Sequence, residues 1–445
     1  MHSASRAPDR NHRPAVRHAP RGLGPGLISR WHRSTCILGG MRVRRRTPCY
    51  LEIADAVVPD FARLLRGEVH LDRSSEIRLL CPVSGQAIPA TEREVALMAT
   101  MAPGQWYDAA DLACVAQLPV DAILAMAQRG LIVGDGDEPL SARLREGERT
   151  LEAVGWHPQA ALYHATSAWE GVVGDEGRRR HDDEAHRERL DAHRARHGPI
   201  APHFWRREDA HQRVALPLQH FDDALASLMR SRLTTRHFRS DVPLGLEDFT
   251  RVLFGTFGAL GSETLAPGTV ALKRTSPSGG GLHPIEAYPL VIDVEGLSPG
   301  FHHYEASSHS MALLDPMSRA QARELAEQLT IGQTYFAQAH ALVFHVARLD
   351  RHHWKYRNHP KAYKAVLLDS GHLSQTFYLL ATERRLGAFY TAAINDLDVA
   401  ERLGLRPQVE IAIGASGIGV PDTACDQLHL KPEPYVPVAP VIPDQ

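Results

Sequence analysis

The strongest chemical signal in the sequence lies between Arg274 and Pro284, where three glycines, Gly279–Gly281, follow one another. Consecutive glycines let the backbone approach a flat or anionic ligand, because no side chain shields the amide groups. Ser276 and Ser278 add hydroxyls just before them. The stretch is neither a GxGxxG motif nor a Walker loop, since no Lys-Ser or Lys-Thr follows the glycines. We predict a ligand-binding turn, with a flexible surface loop as the alternative.

A second cluster of donors consists of Arg232, Thr234 and Arg236. In an extended chain these alternate residues point to the same side, which would bring two guanidinium groups and a hydroxyl to one phosphate. A basic helix C-terminus that complements the helix dipole explains the same residues equally well. The spacing alone leaves both interpretations open.

Taken together, the two segments resemble the nitroreductase superfamily, in which Arg-x-Thr-x-Arg-x-Phe is followed by Pro-Ser-x-x-x-x-His-Pro. Residues 354–356 and 368–375 are similar to the SagB/McbC branch, the flavin dehydrogenases that oxidise thiazoline and oxazoline rings of ribosomal peptides to azoles. Within that branch the sequence is most similar to the peptide maturation dehydrogenase group. The resemblance covers about residues 220–435, and residues 156–164 are similar to a segment that precedes the flavin domain there.

The resemblance implies FMN as the cofactor and assigns residues to it by position in the motifs. Those residues are Arg232, Thr234, Arg236, Pro277, Ser278, Gly279, Gly280, Gly281, His283, Ala392, Ala393 and Lys431. His429 would assist Lys431 at the phosphate. Gly281 stands where many nitroreductases have an asparagine, although azole-forming members also lack it. No metal site is predicted.

Lys355 and Tyr356 match the Lys-Tyr pair of the azoline dehydrogenases. Aromatising an azoline removes a proton from the carbon that carried the α-hydrogen and passes a hydride to the flavin. The resemblance therefore implies that Lys355 takes the proton and that Tyr356 relays or donates one. Without it, a surface cation beside an aromatic ring is the simpler interpretation. Asp369 and His372 lie three residues apart on a predicted helix and could form a charge relay or a structural pair.

The expected function is that of an FMN-dependent dehydrogenase that oxidises azoline rings of a ribosomal precursor peptide to azoles. A generic NAD(P)H-dependent nitro or quinone reductase on the same fold is the alternative, and a scaffold without flavin is a third possibility. Lys355-Tyr356 and the long N-terminal part weigh against the generic reductase. The expected partners are the precursor peptide, a cyclodehydratase and a second copy of the chain, because flavin sites in this superfamily are shared between subunits.

The elements around these residues predict an α+β fold, since helices and strands do not alternate regularly. A helix should begin near Asp223 with a buried stripe of Leu225, Leu228 and Met229, and a second helix should cover 246–254. Strands are predicted at 287–294, 301–304, 311–314, 341–349 and 409–415, and long helices at 318–338 and 361–385. Pro289 predicts an edge strand or a bulge. The resemblance implies a mixed sheet flanked by helices in a dimeric, nitroreductase-like FMN-binding fold over residues 220–445.

Three further regions are expected upstream. Residues 1–40 are rich in Arg, His, Pro and Gly, with Asp9 as their single acid. They predict a disordered or non-native extension ahead of a start at Met41, with a basic nucleic-acid arm as the alternative. Residues 47–150 should form a winged-helix-like α/β module. Residues 151–219 carry dense mixed charge and predict a helical linker.

The winged-helix prediction rests on the order of the elements. Strands at 77–82 and 130–133 enclose helices at 92–101, 109–116 and 120–129. Thr91 and Glu94 predict a capping box for the first of these helices. Helix 120–129 carries one acid and one arginine, which is little charge for phosphate contacts. We therefore expect the module to bind protein or peptide rather than DNA.

Composition excludes several other classes. The formal net charge of -2 gives no field that would attract nucleic acid. The 5 cysteines are scattered without CxxC spacing, which argues against a disulfide framework or a zinc ribbon. No apolar run has the length of a membrane span. We expect a cytoplasmic protein without a membrane or nucleic-acid partner.

Overall fold

The computed structural model describes residues 40–59, 71–174, 183–201, 207–214 and 223–424, together with residues 63, 66, 204, 216 and 217. The predictions for residues 1–39, His429 and Lys431 lie outside these residues. Among the described residues, no single helix has the length and apolar composition to cross a bilayer, and only one sharply bent pair of short helices passes that test jointly.

The N-terminal part contains the three helices expected from the sequence. They are α1 (Glu92–Thr100), α2 (Ala109–Ala116) and α3 (Val120–Gln128). The Thr91 hydroxyl accepts the N–H of Glu94 and the Glu94 carboxylate accepts the N–H of Thr91, which completes the predicted capping box. α2 and α3 meet at 116°, an angle typical of helix-turn-helix pairs. The winged-helix assignment itself stays a prediction.

Two small antiparallel sheets accompany these helices. Their strands are β1 (Arg42–Arg45), β2 (Tyr50–Pro59), β3 (Leu71–Leu80), β4 (Ala87–Ala90), β5 (Tyr107–Asp108) and β6 (Ile132–Gly134). The strand orders are β5-β1-β6 and β2-β3-β4. β1 precedes residue 47, where the sequence placed the start of this module. It belongs to the fold because Val43 is completely buried between the helices.

The next segment continues in three helices. They are α4 (Pro139–Val154), α5 (Pro158–Ser167) and α6 (Asp183–His197). Trp156, between α4 and α5, is 3% exposed and donates its indole N–H to the carbonyl of Gln408 at 2.7 Å. Its ring contacts His353 and Tyr363 of the C-terminal half. Part of the segment expected as a linker is therefore packed against that half, while the division into domains stays a prediction.

The C-terminal half is built on a six-stranded sheet in the order β11-β10-β9-β12-β14-β13. After the hairpin of β7 (Gly261–Ala266) and β8 (Thr269–Lys273), the strands of this sheet are β9 (Ile285–Val291), β10 (Gly300–Glu305), β11 (Ser310–Pro316), β12 (Ala341–Arg348), β13 (Gly387–Thr391) and β14 (Glu410–Gly419). Each neighbouring pair in this sheet is antiparallel, so the sheet is not mixed as the resemblance implied. An isolated parallel bridge between Leu244 and Val294 lies outside its strands.

Helices cover the sheet, as the α+β prediction required. They are α7 (Ala224–Ser231), α8 (Leu246–Phe257), α9 (Arg319–Leu329), α10 (Leu349–Lys355), α11 (Ala362–Glu383) and α12 (Asp396–Leu403). α11 buries Val366, Leu373 and Phe377 in the core, and burial of a side chain such as Phe377 stabilises the fold by about 2 kcal/mol. A Cβ on Gly255 of α8 would lie 2.5 Å from Leu380 of α11. The small residue lets the two helices approach closely.

Three local predictions were wrong. The helix expected at 318–338 ends at Leu329, because Ile331 and Gly332 both adopt positive φ and break it. β9 is an inner strand without a register shift at Pro289. Among the described strands, β10 pairs with Leu290 and Val291 but not with Pro289, so that side of Pro289 tolerates a residue that lacks an N–H.

The third correction concerns α7. Asp223 is its N-cap as expected, and its carboxylate accepts the N–H of Ala226 at 2.8 Å. However, Leu225 is 55% and Met229 42% exposed, and Ala226 is the buried residue. Leu225 and Met229 of the predicted apolar stripe therefore face outward, and Leu228 is half-buried.

Candidate functional site

The glycine turn is fixed by a buried carboxylate of α11. Asp369 is 5% exposed, accepts the hydroxyl of Ser278 at 2.5 Å and accepts the N–H of Gly279 at 2.9 Å. The Ser278 hydroxyl in turn accepts the N–H of His283 at 2.9 Å. Both the start and the end of the turn are thus anchored, so it is not a flexible surface loop.

The turn presents an open backbone surface. The hydroxyl of Ser276 is hydrogen-bonded to that of Thr376, a residue of α11, at 2.6 Å. Pro277 is exposed between Ser276 and Ser278. Gly279–Gly281 form a single 3₁₀ turn. Gly281 has φ +68°, and no atom of the described residues lies within 4 Å of the position that a Cβ would take. The face above Gly281 can therefore accept a flat ring in direct contact with the backbone.

Lys355 and Tyr356 lie against the same turn. The Lys355 amine is 3.4 Å from the carbonyl oxygen of Gly280 and 5.8 Å from the centre of the Tyr356 ring. A Cβ on Gly280 would lie 2.5 Å from the Tyr356 hydroxyl. Although Lys355 is exposed, it is not an isolated surface cation, because α10 ends at this residue and directs it to the turn.

The chain after this pair is held by the end of α4. The guanidinium of Arg357 donates to the carbonyls of Glu152 at 2.7 Å and Ala153 at 2.9 Å. The N–H of Asn358 donates to the carbonyl of Gly155 at 2.8 Å. These contacts satisfy carbonyls that a helix C-terminus leaves without a partner, and a cation there is favoured by the helix dipole.

The arginine segment leaves α7 in an extended conformation. Arg232 follows the last residue of the helix with φ -62° and ψ 124°. Its guanidinium carbon lies 5.3 Å from the centre of the Tyr378 ring, and the Thr234 hydroxyl is 3.2 Å from that of Tyr378. Thr235 is buried and donates its N–H to Ala388, while Arg236 is half-buried. Arg232 thus has extended backbone angles, while the assignment of this segment to a phosphate stays a prediction.

The two segments contact different faces of α11. The turn reaches Thr376 and the arginine segment reaches Tyr378. Residues two positions apart on a helix project about 200° from each other. In one chain, α11 therefore separates the described contacts of Ser276 from those of Arg232 and Thr234.

The remaining predicted site residues are Ala392 and Ala393, which follow β13, and His283, which ends the glycine turn. Ala392 is exposed and Ala393 donates its N–H to the Thr391 hydroxyl at 3.0 Å, directly after β13. His283 adopts φ +47° at the end of the turn. Burial lowers the pKa of His283, and the neighbouring charge of Arg274 lowers it further, so its imidazole is neutral near pH 7.

Comparison with known proteins identifies this half of the chain. Residues 229–419 match the nitroreductase family model. These residues form a nitroreductase domain. The α+β fold is thereby confirmed, and the domain belongs to a family of flavin-dependent oxidoreductases.

Relatives of the nitroreductase domain include proteins of different size. The trifolitoxin-processing protein TfxB of Rhizobium leguminosarum bv. trifolii is 24% identical over 303 residues, which is 66% of this chain and 78% of TfxB. MJ1384 of Methanocaldococcus jannaschii, which is named as a nitroreductase, is 26% identical over 182 residues, 41% of this chain and 85% of that protein. A chain of the E. coli microcin synthetase McbBCD complex with truncated pro-MccB17 bound has a TM-score of 0.44 at 16% identity and covers 61% of this chain and 97% of that chain.

The nitroreductase domain also contains a buried polar network that sequence reasoning missed. Tyr378 accepts the N–H of Tyr390 at 2.9 Å while it contacts Thr234. The Tyr390 hydroxyl is 3.0 Å from that of Ser370, which is 2.9 Å from Nδ1 of His345. Complete burial lowers the pKa of His345 to about 3. His345 is therefore neutral. Through Ser370 it is connected to Tyr390 of β13, the strand whose Ala388 accepts the N–H of Thr235.

Two residues of the site carried little or no signal in the sequence. Asp369 was one of a pair that could be a relay or structural, and it anchors Ser278 and Gly279 of the nitroreductase domain. Tyr378 stands in a long apolar helix and has no motif to distinguish it. Only the packing of α11 shows that both segments use this helix.

Proposed function

We propose that this protein is an FMN-dependent dehydrogenase that oxidises azoline rings of a ribosomal precursor peptide to azoles. The observation that carries the proposal is the position of Lys355 and Tyr356 on Gly280 of the glycine turn. A base and a phenol at the turn that would face the flavin are what proton removal beside hydride transfer needs. The similarity to TfxB, which is named as a trifolitoxin-processing protein, supports a role in processing another molecule.

The residues present fit FMN. The open face of Gly281 would receive the flavin ring, and the Ser278 hydroxyl is oriented beside it by Asp369. Arg232 and Arg236 follow α7 in a segment whose guanidinium groups suit the phosphate. When bound, FMN supplies a hydride acceptor.

The protein side chains would handle the proton. Lys355 would take the proton from the ring carbon that carries the α-hydrogen, as the hydride leaves the adjacent carbon. The azoline thereby loses two hydrogens and gains one ring double bond. The Tyr356 hydroxyl, which lies beside Gly280, would donate a hydrogen bond to the ring or relay the proton to solvent.

The complete site would need two copies of the chain. The turn and the arginine segment contact different faces of α11, so a ligand that touches both sets of residues would bind between one protomer and its partner. Leu225 and Met229 of α7 and Leu368 of α11 are exposed apolar side chains available to such an interface. The N-terminal module would then be free to bind the precursor or a cyclodehydratase.

The test uses the purified full-length chain with FMN and a synthetic peptide that contains one thiazoline. We expect flavin absorbance on the protein and a mass loss of two hydrogens from the peptide under air. Lys355→Ala should lower turnover about a hundredfold, while Lys364→Ala, which removes an exposed lysine of α11, should not.

Two results would reject the proposal. Rapid NADPH-dependent reduction of a nitroarene with no change in the thiazoline peptide would indicate a generic reductase. A colourless protein that does not take up added FMN would indicate a scaffold. Unchanged peptide oxidation by Lys355→Ala would remove the assigned base.

A further inference from the structure

A cleft of about 660 Å³ lies beside the glycine turn. Val270 and Leu272 of β8 form an apolar part of its wall, and Arg274, Arg348 and Arg351 form a basic part. Arg274 and His283 line both this cleft and the small cavity beside Pro277 and Ser278. The cleft therefore adjoins the turn proposed to bind the flavin but has a chemistry of its own.

Arg274 is the unusual residue of this wall. It is only 7% exposed, its Nε has no hydrogen-bond partner, and no ion pair to it occurs among the described residues. Burial lowers the pKa of the Arg274 guanidinium, and the charge of Glu286 opposes that shift without forming a contact. A buried charge without a partner destabilises a fold, so the arrangement is expected where a ligand completes it.

The other charges of the cleft are already engaged. Arg348 lies 3.7 Å from Glu286 and 3.6 Å from Asp350, and Arg351 donates its Nε to the carbonyl of Leu282. The lining contains three arginines and two glutamates, and Arg274 is the arginine for which the described residues provide no hydrogen bond or ion pair. A single carboxylate would neutralise the charge of Arg274. A doubly charged phosphate would bring additional negative charge next to Glu286 and Glu305, which would repel it.

We propose that this cleft binds an acidic side chain of the peptide substrate, with its carboxylate on Arg274 and neighbouring apolar side chains on Val270 and Leu272. Arginine suits this role because its planar guanidinium can donate two parallel hydrogen bonds to a carboxylate. The inference rests on the proposed function, since it assigns the substrate of the same enzyme. It makes an acidic residue near the oxidised ring a determinant of specificity.

The test compares two acetylated and amidated pentapeptides, Gly-Leu-Glu-Leu-Gly and its Gln counterpart, by ligand-observed NMR titration of the full-length chain loaded with FMN. We expect the Glu peptide to bind about tenfold more tightly. Arg274→Gln should abolish this difference and leave FMN absorbance unchanged. Arg251→Gln is the control, because it removes an exposed arginine of the same half of the chain that pairs with Glu383.

The melting temperature shows whether Arg274→Gln is folded as well as the parent chain. Without peptide, Arg274→Gln should melt at or above the temperature of the parent chain, because an unpartnered buried charge has been removed. The Glu peptide should raise Tm of the parent and not of this variant. Equal affinity of both peptides for the parent, or a preference for Glu that persists in Arg274→Gln, would overturn the inference. These readouts do not require turnover, so they remain decisive even if thiazoline oxidation fails.

Discussion

The Lys355 amine lies 3.4 Å from the carbonyl oxygen of Gly280, and the hydroxyl of the next residue, Tyr356, occupies the space where a side chain at 280 would begin. Gly280→Ala should therefore displace the pair and also strain a backbone with φ +65°. We expect thiazoline oxidation to fall at least about tenfold while FMN remains bound. Steady-state kinetics and flavin absorbance of the same preparation would measure both effects.

Gly104 provides the matched control, since its φ is +72° and nothing lies within 4 Å of its Cβ position. Gly104→Ala should cost only the backbone strain of about 1 kcal/mol and leave kcat unchanged. If Gly280→Ala retained full activity, the pair would not depend on the turn.

Asp369 should govern FMN affinity rather than the chemical step. Asp369→Ala removes the acceptor for the Ser278 hydroxyl and the Gly279 N–H, so the turn loses both anchors at its first residues. We expect the Kd of FMN to rise about tenfold or more, as measured by fluorescence titration. Glu383→Ala, an exposed change on the same helix, should leave the Kd unaltered.

Arg357 should act through the position of its neighbours. Arg357→Gln loses the charged hydrogen bonds to the carbonyls of Glu152 and Ala153, and we expect the chain that follows Tyr356 to become more mobile. The expected result is a lower kcat with unchanged FMN affinity and a loss of about 1 kcal/mol in the free energy of unfolding. Arg149→Gln, which alters an exposed ion pair on α4, should change none of these. A fall in FMN affinity equal to the fall in kcat would contradict a positioning role.

The stability of the protein should decrease in acid because of His353. Burial, with help from the charges of His352 and Arg357, lowers the pKa of His353 to about 4. In the unfolded chain this histidine binds a proton near pH 6.5. The free energy of unfolding is therefore at its full value above that pH and decreases as the pH falls toward 4. Within the part of the chain that the structure describes, the Nδ1 atom of His353 has no hydrogen-bond partner, so a charge there would stay uncompensated.

Urea unfolding at about pH 7 and about pH 4.5 would measure this dependence. His353→Gln should reduce the acid loss of unfolding free energy by about 2 kcal/mol relative to the parent chain. His197→Gln, at an exposed position of α6, should leave the loss as it is. An identical pH dependence of the parent and His353→Gln would show that the group does not titrate as described.

The sequence was most informative where one local rule decides the structure. Thr91 and Glu94 form their capping box, and α11 follows the predicted helix closely, because caps and apolar periodicity act over a few residues. The glycine turn and the Lys355-Tyr356 pair were found by motif, and the structure brings them together. Contacts between distant segments had no such signal. The pairing of β9 that accommodates Pro289 and the role of Asp369 appear only after the helix and sheet have packed.

The outward direction of Leu225 and Met229 shows a second limit. Apolar periodicity reveals that one face of a helix will be covered, but it does not distinguish the core of the chain from another molecule. Arg274 illustrates the same problem for charge. It was part of the most informative stretch of sequence, yet only its burial without a partner suggests a ligand.

The contacts of Thr376 and Tyr378 lie on opposite faces of α11, so in the dimer proposed above a substitution on either face should be distinguishable by a genetic test. An assembly of one chain with Arg232→Ala and one with Ser278→Ala would contain one pocket with both lesions and one pocket with none. Two inactive alleles expressed together would then restore part of the activity that neither provides alone. The proposed dimer therefore predicts intragenic complementation between substitutions on the two faces of one helix.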